Sequence, residues 1–104
     1  MPSTQYIHNP HVTIRAVRFL RSDVEQSLRR IQDQEPSDIE EWCRGQIIGR
    51  SMQSPMLRVN DHKGIDVFAE VGDWVVSYVY EDGAEPVFDV LTNEQFTLRF
   101  KLKE

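Results

Sequence analysis

The sequence predicts an α+β domain: an N-terminal strand, two short helices, then an antiparallel curved sheet of about five strands that can close partway into a barrel. Three observations lead there. Residues in "HVTIRAVRFL" alternate apolar and polar with the period of a half-buried strand. Two successive stretches, "SDVEQSLRRI" and "PSDIEEWCRG", each carry at or next to their start a serine three residues before a glutamate, the pattern of a helix capping box. The second half is rich in β-branched and aromatic residues broken by short turn sequences, which suits a meander of neighbouring strands.

The elements follow in order. Residues 1–11 precede the first periodic segment and read as a flexible arm, with His8 and His11 in "HNPH" too isolated for a metal site. Along the first strand Val12, Ile14 and Ala16 share one parity, and the rhythm slips at Ala16–Val17. A bulge or a strand covered on both faces accounts for the slip. The first helix takes Ser22 as cap and Glu25 as its reciprocal partner, with Val24, Leu28 and Ile31 as the apolar face. The second takes Ser37 and Glu40, buries Ile39, Trp42 and Cys43, and ends at Gly45 with a positive φ.

"QIIGRS" and "PMLRVN" follow as strands, and "DHKG" turns into "IDVFAEV", where Phe68 among acids implies a second face partly covered. Gly72–Asp73 bends the chain into "WVVSYVY", and "EDGA" supplies a hairpin turn. Pro86 puts "EPVFDV" at a sheet edge or makes the proline its first residue. Thr92 and Gln95 can cap a single helical turn, and "TLRFKL" alternates as a closing strand. At 104 residues the chain fits one domain, 1–104.

Composition narrows the function. The net charge is −5, which opposes general binding to a phosphate backbone, so nucleic acid is not an expected partner. No apolar run approaches the ~20 residues of a membrane span. No leader-like start is visible, which makes the cytoplasm the expected location. The single cysteine, Cys43, excludes an internal disulfide and reads as a buried apolar side chain.

Charge is unevenly spread. Residues 12–30 hold five arginines against two acids, whereas residues 61–96 hold nine acids against one lysine. Such asymmetry steers partners of opposite sign.

The pattern "VTIRAVRF", then "IEEWCRG", then "LRVNDHKGIDVFAEVGDWVV", with Val87, Phe96 and Phe100 further on, resembles a family of small uncharacterised proteins of tailed phages and prophages. The distinctive triplet is Gly72-Asp73-Trp74, in a Gly-Asp-Trp-(Ile/Val)-(Ile/Val) strand corner, and the similarity runs from about Val12 to Phe100. Two features depart from the family pattern. The hairpin "YVYEDGAEPVF" is longer and more acidic, and a basic alternating tail follows the last aromatic residue. The resemblance implies a phage origin and the cytoplasm of a host cell, and it brings no catalytic residues or cofactor.

No nucleophile motif, phosphate loop or acid–base pair is recognisable, so a non-enzymatic protein without cofactor or metal is expected. Asp73 reads as a corner residue. The preferred reading is an accessory protein that binds a host protein to alter host physiology or defence. Its contact surface comprises Glu70, Asp73, Trp74, Tyr78, Tyr80, Glu81, Asp82 and Glu85, with the acids, Asp89 included, gathered around two adjacent hairpin ends. The alternatives are a protein that sequesters an anionic nucleotide on Arg15, Arg18, Arg50 and Arg58, and a minor virion or assembly component.

Overall fold

A computed structural model of the protein describes residues 4–9, 12–81 and 84–100. Strands β1 (Thr4–Asn9) and β2 (Val12–Arg18) lead into helix α1 (Arg21–Arg30), a 3-10 turn and helix α2 (Asp38–Cys43). Strands β3 (Gln46–Ile48), β4 (Met56–Asn60), β5 (Asp66–Glu70), β6 (Trp74–Val79) and β7 (Val87–Leu91) follow, and helix α3 (Asn93–Arg99) closes the described chain.

The strands divide between two antiparallel sheets, one ordered β1-β2-β6-β7 and one ordered β3-β4-β5. This corrects the expectation of a single sheet of about five strands, and no closed barrel forms among the described residues. The division has a local cause at the glycine bend. Gly72 has φ 104°, a value that favours glycine, and its N–H donates to the Phe19 carbonyl at 2.7 Å. The Phe19 N–H donates to the Asp73 carbonyl at 2.8 Å, so the chain leaving β5 is captured by the end of β2 and starts a new pairing there. One parallel bridge, Asp61 to Phe88, joins the margins of the two sheets. The segment read as an arm also contributes: Thr4–Asn9 pairs with β2, with its register shift between Ile7 and Asn9.

Strand β2 is covered on both faces, which explains the slip at Ala16–Val17. Ile14 and Ala16 pack with Val76, Leu91, Phe96 and Phe100 on one side. Val17 and Phe19 join Val24, Ile39, Ile47, Leu57 and Phe88 on the other. The register from β2 to β6 runs unbroken through Ala16↔Val76 and Val17↔Val75, so no bulge interrupts it. The four-stranded sheet is therefore a middle layer, with α3 on one face and α1, α2 and the smaller sheet on the other.

Helix α3 replaces the expected closing strand over Thr97–Arg99. Thr92 Oγ1 accepts from the Gln95 N–H, and Gln95 Oε1 accepts from the Thr92 N–H, which completes the capping box. The helix brings Phe96 and the following Phe100 onto the sheet four residues apart, while Leu98 is 85 % exposed. Burying that aromatic pair outweighs the alternation of Leu98, Phe100 and Leu102.

Two further details differ from expectation. In α1 the cap is Leu20, whose N–H donates to Asp23 Oδ2 at 2.8 Å, in place of the Ser22–Glu25 box. Its buried positions are Val24 and Ser27, whereas Leu28 and Ile31 are exposed. In α2 the Ser37–Glu40 box forms, but the left-handed residue at its end is Arg44, with φ 57°. Gly45 is needed for room: an added Cβ would stand 2.5 Å from the Arg58 carbonyl oxygen. Phe68 is 46 % exposed, so the outer face of β5 is open, contrary to the coverage expected. No helix among the described residues is long and apolar enough to cross a membrane.

Two glycine substitutions separate these causes. Gly72→Ala makes only an ordinary contact, with Arg18 Nη2 at 3.9 Å, but strains the backbone, and should lower stability by about 1–3 kcal/mol. Gly45→Ala meets a carbonyl and must move β4, so its urea midpoint should fall further than that of Gly72→Ala.

Candidate functional site

The Gly72-Asp73-Trp74 corner is built for support. Asp73 Oδ2 accepts from the Glu70 N–H at 2.9 Å, and the Asp73 N–H donates to the Glu70 carbonyl at 2.9 Å. Arg18 Nε donates to the Gly72 carbonyl at 3.0 Å, and its guanidinium stands 5.8 Å from the Trp74 ring centroid, within cation–π range. Trp74 Nε1 donates to Asn93 Oδ1 at 3.0 Å. Its ring stacks on Phe96 at 3.9 Å and 4°. Trp74 thus anchors α3, and the Asp73 carboxylate, the Gly72 carbonyl and the Trp74 indole N–H each have a structural partner.

The surface read from the sequence is consequently divided. Glu70 ends β5 and Asp73 and Trp74 lead into β6, whereas Tyr78, Tyr80 and Glu81 lie at the far end of β6 and Glu85 in the connection to β7. At about 3.3 Å per residue, Trp74 and Tyr78 lie roughly 13 Å apart along the strand. The acids therefore do not gather at adjacent hairpin ends. Glu85 Oε2 accepts from Arg44 Nη1 at 2.6 Å, and Asp82 lies outside the described residues.

What does assemble is a recess of about 460 Å³ at the far end of β6, with Ile14 and Phe100 as its apolar floor. Tyr78 and Tyr80 stand at its edge with ring centroids 6.3 Å apart and 18° between planes, and Tyr80 is 56 % exposed. Burial pushes the Tyr78 hydroxyl pKa up, opposed by the nearby Arg99 guanidinium. His62 Nδ1 lies 3.1 Å from Asp89 Oδ1. Asp61 sits alongside, its Oδ1 accepting from the Lys63 and Ile65 N–H groups, and those donors hold its carboxyl below the ordinary range, the Ile65 bond most strongly. Asp61, His62 and Asp89 offer ligand atoms within 4.8 Å of one another, close enough to share a cation. The contacts they already make are those of a turn pinned to β7. His8 falls within β1, and His11 lies outside the described residues.

The four arginines proposed as an anion site also separate. Arg18 serves the corner and Arg15 is exposed on β2, while Arg50 and Arg58 line a cleft between the helices and β3–β4 together with Arg44. At the base of this cleft lies Glu40, 5 % exposed. Its Oε1 accepts from the Ser37 N–H at 3.0 Å and from the hydroxyls of Ser37 at 2.8 Å and Ser27 at 3.2 Å. Its Oε2 accepts from the Ile47 N–H at 2.9 Å and Arg50 Nη2 at 3.4 Å. Burial alone would raise the Glu40 pKa, but these donors together, led by the Ile47 N–H, hold it below its ordinary value of 4.5. Sequence reasoning read Glu40 only as half of a capping box. The missed signal was Ser27 on the same side of α1 as Val24, a polar residue where an apolar one fits. Cys43 is buried as expected, and desolvation pushes its thiol up to about 11.

Because the folded-state pKa of Glu40 is depressed, its stabilising contribution is complete above pH 4.5 and is lost as pH falls through the lower folded value. Glu40→Ala should therefore cost about 3 kcal/mol at pH 7 by leaving Arg50 without its carboxylate partner and the Ser37 and Ile47 N–H groups without acceptors. The gap between wild type and variant should narrow in urea titrations as the pH drops below 4. Asp23 acts in the opposite sense, since burial raises its pKa, so the comparison is made between variant and wild type and not from the wild-type curve alone.

Comparison by sequence and by fold finds no matching family model, no similar curated protein and no similar solved structure.

Proposed function

We propose that the chain is a non-enzymatic binding protein whose partner is a protein with basic side chains, engaged at the tyrosine recess. The carrying observation is Tyr80, exposed beside the nearly parallel ring of Tyr78, with the Asp89 carboxylate also lining the recess and Asp61 close beside it. Tyrosine rings provide contact area at low entropic cost, and a lysine or arginine gains both a ring face and a carboxylate. Glu81 follows Tyr80 directly and is exposed, which extends the negative rim. Arg99 also lines the recess, and beside Tyr78 it gives the acidic rim one internal boundary.

The phage resemblance supplies the setting: an accessory protein acting on a component of the host cell, in the host cytoplasm. A contact surface of this kind needs only shape, rings and charge, and it uses no cofactor. Glu70, Asp73 and Trp74 leave the proposed surface because they support the corner.

Immobilised wild-type protein should retain a specific host protein. Tyr80→Ala and Glu81→Lys should each weaken that retention about tenfold or more, the scale of an interface hot spot. Phe68→Ser, on the open face of β5, should leave it unchanged. Loss with Phe68→Ser but not with Tyr80→Ala would move the interface to the smaller sheet and refute the recess.

A further inference from the structure

The cleft between the helices and the smaller sheet is larger than the tyrosine recess, about 740 Å³, within the range of small-molecule sites. We propose that it binds a small phosphate ester carrying hydroxyl or amino donors, of which a nucleoside monophosphate is the representative. This site is separate from the tyrosine recess and independent of the protein-binding reading.

Three guanidiniums converge on the cleft, and each is steadied by a contact that leaves further N–H groups available. Arg50 Nε donates to Ser27 Oγ at 2.6 Å, and its Nη2 reaches Glu40. Arg58 Nη2 donates to Gln46 Oε1 at 2.7 Å. Arg44 Nη1 donates to Glu85. A guanidinium has five N–H donors in a fixed fork suited to phosphate, so one or two contacts fix its plane without exhausting it. Fixed planes matter because less side-chain entropy is then lost when a ligand arrives.

The lining also carries three carboxylates, Glu35, Glu40 and Asp66, equal in number to the arginines. A bare anion therefore meets no net positive field. Glu40 is saturated by its own donors, and Asp66 accepts from Asn60 Nδ2 at 2.7 Å while keeping further acceptor capacity. A ligand that satisfies this lining must bring an anionic group for Arg58 and Arg44 and hydrogen-bond donors for Asp66 and Glu35. Phosphate esters of hydroxylated or amino-bearing bodies have that composition, whereas inorganic phosphate carries no donor beyond the phosphate group itself.

Thermal-shift and calorimetric titrations of the full chain with AMP, ribose 5-phosphate and inorganic phosphate test the proposal. At a concentration a hundredfold above Kd, an ester should raise Tm by more than about 5 °C, with inorganic phosphate giving much less. A response to AMP alone adds base recognition, and an equal response to ribose 5-phosphate assigns binding to the phosphate and sugar. Arg58→Gln and Arg44→Gln, both at exposed positions, should each weaken ester binding about tenfold, while Arg15→Gln, outside the cleft, should leave it unchanged. The proposal is overturned if neither ester shifts Tm, if both cleft variants bind as wild type does, or if inorganic phosphate binds as tightly as the esters.

Discussion

A carboxylate almost removed from water must either lose its charge or be surrounded by donors, and Glu40 has the donors. They come from four places in the chain: the cap of α2 through Ser37, the face of α1 through Ser27, the first paired strand of the small sheet through the Ile47 N–H, and Arg50 beyond it. None of these elements has an extensive apolar face of its own. α2 has six residues and β3 has three, both too short to be stable in isolation. Their mutual orientation is fixed because any shift would strip a donor from a buried charge, which costs more than a shift between apolar surfaces. The same network sets Arg50 at the floor of the cleft, so the shape of that cleft follows from the satisfaction of one side chain.

The second constraint is the capture of the glycine bend by Phe19. Phe19 has no exposure, and its backbone N–H and C=O both pair with the bend. The side chain fixes the end of β2 in the core, and the backbone then dictates where β5 stops and β6 begins. Trp74 emerges on the opposite face, where it stacks on Phe96 and receives α3. One short sequence thereby ties both faces of the four-stranded sheet to the smaller sheet. This explains why its chemical-looking aspartate is spent on the Glu70 N–H.

How much of this was legible in the sequence depends on the range over which each signal acts. Capping boxes at Ser37 and Thr92 are local, and both were readable, as was the edge position of the strand after Pro86. The doubly covered strand was also visible as a break in parity at Ala16–Val17. Apart from the cap of α1, where Leu20 and Asp23 displace the Ser22–Glu25 box, the failures involve partners distant in the chain. Leu98 and Phe100 alternate as a strand would, and only the sheet surface that receives Phe96 and Phe100 decides for a helix. Gly45 reads as a helix terminator, and only β4, thirteen residues on, shows that it is a point of close approach. For the same reason the acids of residues 70–89 looked like one patch: the chain places them near one another, but β6 is extended and holds its two ends apart. Arg44 and Ser27 drew no notice because nothing within a few residues of either marks a cleft.

The two proposed binding regions touch through one contact. Arg44 lines the cleft, and the Glu85 it pairs with belongs to the connection that leads from Tyr80 to β7. Both side chains are well exposed, and a solvent-exposed ion pair contributes about 0–1 kcal/mol. A phosphate that drew Arg44 away would leave Glu85 unpaired in that connection and so available to a basic partner, at a cost no larger than that pair. Linkage is reciprocal, so a basic partner that engaged Glu85 would free Arg44 for the cleft by the same small amount. Occupancy of either region therefore favours the other weakly, through the exchange of partners at Arg44 and Glu85 alone.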